Sequence, residues 1–418
     1  MNVQKAIRSA LLAALFSLAA LPARADDPPS KETGELSWYK GNTHTHTLWS
    51  DGDAAPEVAA DWYKAHGYDF LVLSDHNILS EGERWVPVGE EKKDRVRPGE
   101  LARLAERFGS EWVETREVER RREMRLKTLA ELRAAFEEPG RFLFLQGEEI
   151  SDRFDGRPIH LGAVNIERLI RPQGGSSVQD VIRRNLEATM REAERSGRPA
   201  LVHVNHPNFV WAVTPDDIAQ VLEERFFEVH NGHPKVHNEG DEHHPGMEET
   251  WDHVLAQRLG VLGGEPLYGL ATDDAHNYFA DGPQRSNPGR GWIMVRAAAL
   301  SADDLIRALR AGDFYASSGV DLEDVVAGPE SLTVKIATRP GVSYVTRFVG
   351  TRLVDGKIGK EGEILAESRD ARAAYRFAGD ELYVRAVVVS DRRRPNGYPG
   401  DDIEKAWVQP VVISRAGK

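Results

Sequence analysis

The sequence predicts an α/β fold in which a largely parallel sheet is closed or wound by helices, followed by a smaller all-β region. Short apolar runs, such as those in Asp69–Ser74 and Arg141–Gln146, alternate with helical patterns between residues 36 and 320. Continuous apolar runs of this kind are typical of strands buried on both faces. After about Gly328 the helical periods stop, and segments such as SLTVKIATR and ELYVRAVVVS indicate antiparallel strands.

The other elements of the α/β region follow one another along the chain. Further strands are expected at Leu161–Val164, Ala200–Val204, Phe226–Val229, Tyr268–Ala271 and Trp292–Val295. Helices are expected at Pro56–His66, Ser177–Ser196, Asp216–Arg225, Glu248–Leu259 and Ser301–Ala311. A charge-dense stretch interrupts the alternation, and its proline start and Pro-Gly end predict two further helices, Pro98–Phe108 and Glu111–Glu138.

These patterns divide the chain into a leader and two domains. Residues 1–25 combine basic residues, an apolar run too short to span a bilayer and a small-residue cleavage site, which is typical of a secretory signal peptide. We therefore expect an exported protein, periplasmic or secreted, with no membrane anchor after cleavage. The α/β domain is expected over residues 26–325, with a helical insertion at about 81–140, and a β-sandwich-like domain over residues 326–418.

Composition excludes several classes of function. The chain has 54 Lys and Arg against 67 Asp and Glu, a formal charge of −13, so no nucleic-acid partner is expected. Cysteine is absent, which excludes thiolate zinc sites and cysteine nucleophiles. An exported fold without disulfides must rely on its buried core, for which 418 residues suffice. The sequence also lacks the GxSxG and P-loop patterns.

Two histidines and a carboxylate lie close together in the segment GNTHTHTLWSDGD. His44 and His46 are alternate residues, which in a strand point to the same side roughly 6.6 Å apart. Two imidazoles at that separation can reach one metal ion, and Asp51 follows beyond a turn. Taken alone, the pair is weak evidence for a metal site, because two hydrogen-bonded core histidines would also account for it.

Further imidazoles and carboxylates recur at the ends of the later strands. The segments that carry them are Ser74-Asp75-His76 after FLVL, Gly147-Glu148-Glu149 after FLFLQ, His160 at the start of HLGAV, His206-Pro207 after ALVHVN, and Asp274-Ala275-His276 after YGLAT. In a β/α barrel the carboxyl ends of the strands meet at one face. Unrelated core histidines have no reason to choose strand ends repeatedly, so the pattern predicts a shared metal centre.

The motifs HTHTLWSDG, FLVLSDHN, LQGEEIS, HLGAV, HVNHPN and TDDAH, in this order, resemble those of the PHP (polymerase and histidinol phosphatase) family of metallohydrolases. The resemblance covers about residues 36–320. It implies a distorted seven-stranded β/α (TIM-like) barrel with a trinuclear metal site. The insertion, the EVHNGHPKVHNEGD stretch and the AWVQP run are more similar to the exported, carbaryl-hydrolase-like branch than to the polymerase branch.

The resemblance also implies a ligand set. It assigns His44, His46 and Asp274 to the first ion, Glu149 as the bridge to a second, His160 and His206 to the second, and Asp51, His76 and His276 to the third. Glu148 competes with Glu149 for the bridging role. Adjacent strand residues point to opposite faces, so only one of the two should reach the ions. Histidine with carboxylates and no cysteine is compatible with Zn, Mn or Fe.

Other residues near the motifs have less specific predicted roles. Those expected to orient ligand imidazoles, or to pack beside them, are Asp75, His203 and Asp273. Those expected to contact substrate are Trp49, by stacking on an aromatic group, and Arg157, Arg285 and Arg290, by clamping phosphate oxygens. Packing or surface roles are the alternative for these four. The histidines of HNGHPKVHNEGDEHH are expected to form an exposed, polar loop at the site rather than a metal site.

The expected centre suits hydrolysis of a small-molecule ester. Three divalent ions with three carboxylates would be locally cationic inside an acidic protein, which favours a phosphate ester as substrate. We therefore expect a metal-dependent phosphoesterase that uses a metal-bridging hydroxide and no covalent nucleophile. The same hydroxide acting on a carbonyl carbon would make a carbamate or carboxylic ester hydrolase. A carbohydrate- or surface-binding protein with structural metals is the third hypothesis, although shared carboxylates suggest open coordination positions.

Overall fold

The computed structural model describes residues 36–398 and 400–413, so the expected signal peptide at residues 1–25 lies outside the described part of the chain. The helices are α1 Pro56–Ala65, α2 Pro98–Phe108, α3 Leu129–Phe136, α4 Val178–Ser196, α5 Pro215–Ala219, α6 Met247–Gln257 and α7 Ala302–Arg310, with a π-helical turn at Arg258–Leu262 after α6. Within these residues no helix has the length and apolar character needed to cross a membrane.

Strands make up most of the remaining regular structure. In the α/β region they are β1 Ser37–Asn42, β2 Phe70–Leu73, β3 Trp85–Val88, β4 Thr115–Val118, β5 Arg121–Arg125, β6 Leu143–Phe154, β7 Arg157–Val164, β8 Leu201–Val204, β9 Phe226–Asn231, β10 Tyr268–Thr272, β11 Trp292–Ala297 and β12 Phe314–Ser317. In the later region they are β13 Leu322–Ala327, β14 Ser331–Ile336, β15 Tyr344–Val354, β16 Lys357–Ile358, β17 Glu363–Ser368, β18 Arg372–Arg376, β19 Glu381–Tyr398 and β20 Asp401–Val412.

Most strands of the α/β region join one large mixed sheet. Its order is β10-β9-β8-β7-β6-β2-β1-β11-β12, and it continues through β20, β19, β15 and β16. The pairs β1–β2, β2–β6, β8–β9 and β9–β10 are parallel, as predicted, but β7 is antiparallel to both β6 and β8. The reversal occurs at Asp155-Gly156, where φ is 48° and 77°, which matches the two-residue turn that Asp-Gly favours in hairpins.

The two ends of the seven-strand row from β10 to β1 meet at their carboxyl ends. The His46 amide donates to the Ala275 carbonyl at 3.0 Å, and the Asp274 amide donates to the His44 carbonyl at 3.0 Å. An isolated parallel bridge joins Thr45 to Ala275 between these bonds. The expected closed barrel stays a prediction, because the strand pairing defines one large mixed sheet in which β1 is followed by β11, and these bonds lie beyond the ends of β1 and β10.

Helices cover the outer face of the sheet and bury its apolar side chains. The amphipathic helix α7 turns Leu305, Ile306 and Leu309 inward, where they are fully buried against Ile293 of β11 and Leu270 of β10. Each such side chain contributes about 1.5–3 kcal/mol through removal of apolar surface from water. Helices α4, α5 and α6 pack in the same way on strands β7, β8 and β9. The strands that carry the predicted site are therefore packed against helices through buried apolar clusters.

Part of the predicted helical insertion is a β-hairpin. Helix α2 has the predicted bounds, but residues 111–138 form β4, β5 and the short helix α3. Strand β5 pairs with β3 as well as β4, and a Glu119-Arg120 turn with φ of 49° and 65° joins the hairpin. The Glu and Arg residues that suggested a helix instead pair across strands, as between Arg116 and Glu123 at 2.7 Å. Tertiary pairing overrides helix propensity here.

The predicted helix at Asp216–Arg225 also ends early, at Ala219. The guanidinium of fully buried Arg258 donates to the carbonyls of Ile218, Val221 and Glu224, at 2.5–2.8 Å. These carbonyls are therefore satisfied by a distant side chain and need no further helical turn.

The all-β region expected after about residue 326 is present, and it continues the large sheet. Strand β20 pairs with β12 of the α/β region, and β13, β14 and β18 form a separate three-stranded sheet. Buried side chains of the two sheets, such as Val334 and Val388, share one core. The fully buried Arg385 of β19 forms an ion pair with Asp252 of α6, 2.6 Å between Nη2 and Oδ2. The later region is thus bonded to the α/β region through both its sheet and a buried charge pair.

Candidate metal centre

Most of the predicted ligands lie at or beyond the carboxyl ends of the strands. Glu149 and His160 lie within the β6–β7 hairpin. His44 and His46 follow β1, His76 follows β2, and Asp274 follows β10. The isolated bridge between His76 and Glu149 continues the β2–β6 pairing up to the site. Because β1, β2, β6, β8 and β10 run in the same direction, their ends converge on one face of the sheet.

All nine predicted ligands fall into four overlapping groups that could hold metal ions. In each group the ligand atoms lie within 4.8 Å of one another. The groups are His46, Asp51, His76 and His276; His44, His46 and Glu149; His44, His206 and Asp274; and His76, Glu149 and His160. The structure therefore brings together the residues that the motifs singled out, although His46, His76 and His206 also approach residues assigned to other ions.

The innermost part of the cluster is formed by His44, His46 and Asp274. His44 Nε2 lies 3.0 Å from His46 Nε2, and Asp274 Oδ1 lies 3.3 Å and 3.1 Å from these two atoms. Both histidines are fully buried. Burial opposes the ionisation of Asp274, but His44, His46 and His276 hold its pKa well below the usual range.

Glu149 belongs both to the group with His44 and His46 and to the group with His76 and His160. Its Oε1 accepts a hydrogen bond from Asn205 Nδ2 at 2.9 Å and lies 3.0 Å from His206 Nε2 and 3.1 Å from His160 Nδ1. Its Oε2 is buried and has no hydrogen bond among the described residues, although His76 Nδ1 lies 2.6 Å away in an unsuitable orientation. A buried carboxylate oxygen without a hydrogen bond is the kind of atom that a cation satisfies.

Glu148 faces the other side of its strand, away from the cluster. Its Oε1 accepts a hydrogen bond from the Ile170 amide at 2.5 Å, and its Oε2 has no hydrogen-bond partner among the described residues. Burial raises the pKa of Glu148 to about 8. Of the two adjacent glutamates, Glu149 is thus the one whose carboxylate reaches the ligand groups.

The outer part of the cluster is open to solvent. The side chain of Asp51 is 57% exposed, and its Oδ1 lies 3.3 Å from His276 Nε2 and 3.5 Å from His76 Nε2. The Asp274 carbonyl lies 2.8 Å from His276 Nδ1 and can only accept, so that nitrogen carries the proton. The Nε2 lone pair of His276 is therefore directed at the group with Asp51, as a ligand atom would be.

The two carboxylates expected to orient imidazoles, Asp75 and Asp273, instead accept hydrogen bonds from the loops that carry the ligands. Asp75 accepts hydrogen bonds from the amides of Thr47 and Ser50 at 2.8 Å and 3.0 Å and from both hydroxyls. Asp273 accepts from Asn42 Nδ2, from the Tyr63 hydroxyl and from backbone amides of residues 289–291. Neither carboxylate has a described hydrogen bond to a ligand ring, because both accept hydrogen bonds from the segments around the ligands.

His203 is buried beneath the cluster. Its ring lies against Gly162, whose missing side chain leaves the space it occupies. Neither ring nitrogen has a hydrogen bond among the described residues, and burial lowers the pKa of His203 to about 4. A neutral packing histidine fits these contacts.

Glu228, in the middle of β9, contacts the cluster, although the sequence alone assigned it no role. Its Oε1 lies 2.7 Å from His44 Nδ1 and accepts from Thr272 Oγ1 at 2.7 Å, and its Oε2 accepts from the His206 amide at 2.7 Å. Burial opposes its ionisation, but His44 brings the pKa of Glu228 down to about 2. The Glu228 carboxylate places the His44 proton on Nδ1 and turns Nε2 toward the cluster, as carboxylates behind metal-binding histidines do. The sequence signal was a lone glutamate inside the buried apolar run FFEVHN.

None of the four residues expected to contact substrate has a described side-chain contact with a ligand residue. Trp49 is buried, and its indole donates to the Lys127 carbonyl at 2.9 Å, so its predicted stacking role is wrong and packing is its role. Arg290 is fully buried and donates to the carbonyls of Gly232, Gly282, Arg285 and Asn396. The Arg157 guanidinium donates to the Ala212 carbonyl at 3.5 Å, and Arg285 is exposed, with no described side-chain contact to a ligand.

The histidine-rich segment after β9 is divided between structural and site-facing positions. His237 and His244 both stack on Trp211, with ring centroids 4.6 Å and 4.1 Å away. His233 instead lies 5.6 Å from the ring of His276. Phe209 lies 5.4 Å from His206 on the same side of the cluster. The mouth of the site thus carries an aromatic ring and one further imidazole.

Comparisons with known proteins give only distant likenesses. No protein-family model matches the chain, and no curated protein matches it. A two-domain protein from Bacteroides vulgatus ATCC 8482, containing a predicted PHP-like metal-dependent phosphoesterase, is 16% identical, with 93% of this chain and 99% of that chain covered and a TM-score of 0.40. PsfC from Pseudomonas syringae PB-5123 is 14% identical, with coverages of 65% and 88% and a TM-score of 0.33. An amidohydrolase from Chromobacterium violaceum is 15% identical, with coverages of 57% and 87% and a TM-score of 0.28. At these TM-scores nothing about this chain follows from the overlaps, and the candidate metal centre stands on the positions of its own side chains.

Proposed function

We propose that the chain is a metal-dependent hydrolase, and specifically a phosphoesterase of the PHP type. The observation that carries the proposal is the convergence of six imidazoles and three carboxylates into four ligand groups with one solvent-open side. Structural metal sites are closed, four-coordinate sites, whereas a larger cluster with shared carboxylates leaves positions for water and substrate.

The residues present fit divalent cations. The Nδ1 atoms of His44 and His276 lie against acceptors, so both rings turn Nε2 lone pairs toward the cluster. The buried carboxylates of Glu149 and Asp274 each lie 3.3 Å from His44 Nε2, and Asp274 lies 3.1 Å from His46 Nε2. Lone pairs and negative charges gathered in a buried space repel one another unless cations lie between them. We propose three ions, and the nitrogen and oxygen donor set suits Zn, Mn or Fe.

The chain's own residues would bind the metal ions and fix the orientation of the ligand side chains. His44, His46 and Asp274 would hold the innermost ion, Glu149 would bridge to its neighbours, and Glu228 would keep His44 in the binding tautomer. When bound, such ions polarise the ester and lower the pKa of water toward ~7, so that it can act as the nucleophile. No serine or lysine is needed as a nucleophile.

An anionic ester is favoured over a neutral one. Three divalent ions would exceed the three ligand carboxylates in charge, so the loaded site would attract a phosphate group. The resemblance to the carbaryl-hydrolase-like branch supports an aryl carbamate as substrate, but Trp49, the expected aromatic platform for it, is buried in packing. Carbamate or carboxylic ester hydrolysis is therefore the second candidate activity, and the substrate panel described below distinguishes it from phosphate ester hydrolysis.

Further parts of the proposal concern the whole chain. We propose that the seven-strand row is a distorted barrel closed at Thr45 and Ala275, with residues 326–418 as a β-sandwich-like domain. We also propose an exported protein that acts on small molecules.

A substrate panel tests the proposed activity. Protein loaded with Zn, Mn or Fe is assayed with two phosphate esters, p-nitrophenyl phosphate and a phosphate diester. In parallel it is assayed with two acyl substrates, p-nitrophenyl acetate and 1-naphthyl carbamate. We expect turnover of a phosphate ester that is lost in His44→Ala and Asp274→Ala together with bound metal. Turnover of the acyl substrates alone would reassign the chemistry, and full activity in both variants would refute the site.

A further inference from the structure

One histidine at the mouth of the site belongs to none of the four ligand groups. His233 follows β9 and is partly buried. Its ring lies edge-on to the ligand His276, with centroids 5.6 Å apart, and edge-on to Phe209 at 6.1 Å. His233 therefore borders the space above the cluster without being close enough to share a metal group with it.

The backbone of His233 is fixed to the site by the two residues before it. Gly232 donates to the Thr272 carbonyl at 2.8 Å, and a Cβ at this position would lie 2.8 Å from the Asp273 carbonyl oxygen, so only glycine fits. Asn231 accepts from the His233 amide at 2.8 Å through Oδ1, while its Nδ2 donates to the ligand-orienting Glu228 at 2.8 Å. The backbone that carries the imidazole is thus anchored to Asn231, which also bonds the Glu228 carboxylate behind His44.

The tautomer of His233 follows from its own loop. The Lys235 amide donates to His233 Nδ1 at 3.2 Å, and a nitrogen that accepts a hydrogen bond carries no proton. The ring is therefore neutral, with its proton on Nε2. Among the described residues, Nε2 has no hydrogen-bond partner. A fixed donor beside a ligand histidine, with no partner in the protein, is suited to a ligand that binds there.

We propose that His233 Nε2–H donates a hydrogen bond to an oxygen of the anionic group bound at the metal centre, a non-bridging oxygen of a phosphate ester. This inference rests on the proposed function and adds to it a substrate-binding residue. His233 transfers no proton. Its hydrogen bond strengthens as negative charge develops on that oxygen in the transition state, which is how preorganised donors accelerate ester hydrolysis.

The test compares His233→Ala with His233→Gln in metal-loaded protein, because the glutamine amide can place a donor where Nε2–H was. The readouts are bound metal per chain, the Kd for inorganic phosphate by calorimetry, and kcat and KM for p-nitrophenyl phosphate. His243→Ala is the matched control, since His243 is an exposed histidine of the same loop.

We expect His233→Ala to keep its metal, to bind phosphate about 10-fold more weakly and to lose on the order of 10²-fold in kcat. The glutamine variant should recover most of both losses, and the control should match the wild type. Unchanged phosphate affinity in His233→Ala would overturn the inference. Equal losses in the alanine and glutamine variants, or loss of metal, would also overturn it, because the ring would then only pack against His276.

The phosphate titration separates this inference from the proposed function. If the wild type hydrolyses no ester but binds phosphate in a His233-dependent way, the proposed activity fails and the anion-binding role stands. If the wild type hydrolyses phosphate esters and the variant is unaffected, the proposed activity stands and the role of His233 fails. A loaded wild type that binds no phosphate overturns the role of His233.

Discussion

Replacement of Glu228 by glutamine tests whether a buried carboxylate sets the metal-binding form of His44. Glu228 receives four hydrogen bonds through its two oxygens, from His44 Nδ1, Thr272 Oγ1, the His206 amide and Asn231 Nδ2. Glutamine keeps one carbonyl oxygen, which can accept two of the four. Its NH2 group faces the other two donors, so two bonds are lost and His44 loses its charged acceptor.

The size of the effect follows from this count. Changes to a residue that orients a metal ligand typically cost 10–100-fold in metal affinity, which corresponds to about 1.4–2.8 kcal/mol. Two buried donors left without acceptors cost roughly 1–3 kcal/mol each in folding stability. We therefore expect Glu228→Gln to bind metal at least about 10-fold more weakly and to unfold at a lower temperature.

The assay is competitive metal titration against a chelator, with thermal unfolding of the metal-free protein measured in parallel. Glu148→Gln is the matched control, because Glu148 is buried on the opposite strand face, makes one hydrogen bond through Oε1 and is held protonated near neutral pH by burial, which raises its pKa to about 8. Equal metal affinity in wild type and Glu228→Gln would refute the reasoning. A larger loss of metal affinity in Glu148→Gln than in Glu228→Gln would show that Glu148, and not Glu228, acts on the metal ligands.

Three further changes test other parts of the structure. Because burial raises the folded-state pKa of Glu148 to about 8, above its ordinary 4.5, the folded state holds the extra proton and stability falls as pH rises from 4.5 through 8. Denaturant titrations above pH 8 should therefore find Glu148→Gln more stable than wild type. Arg385→Ala leaves Asp252 buried and unpaired, and should lower the free energy of unfolding by about 3–5 kcal/mol in urea titrations. Gly162→Ala places a methyl group against the ring of His203 and should lower the unfolding temperature, as measured by calorimetry.

The strand-end ligands were predictable because two local signals coincide at each of them. An apolar run marks a buried strand, and a histidine or carboxylate immediately beyond it marks a side chain at the functional edge, as with His76 after FLVL. That only one of Glu148 and Glu149 would reach the ligand groups was also predictable, since strand residues alternate sides, but the alternation does not say which one. Both signals lie in short segments of the chain.

Other features depend on distant partners and left no local signal. The 111–138 stretch has helix-forming residues, but β3 supplies a strand partner that its own composition does not reveal. Trp49 lies inside a ligand motif, yet its indole is directed at the Lys127 carbonyl, 78 positions away. Glu228 looks like any charged residue in a strand until His44 is brought against it. Side-chain direction and long-range pairing are set by packing, which one sequence does not display.

The central claim is that this cluster binds metal, and elemental analysis of the purified, metal-loaded protein tests it most directly. We expect about three Zn, Mn or Fe ions per chain, consistent with the overlapping ligand groups around His44, Glu149 and Asp51. Loss of the innermost ligands in His44→Ala and Asp274→Ala should lower that ratio, while Glu148→Gln should leave it unchanged. A wild-type protein that retains less than one ion per chain after loading and desalting would contradict the account.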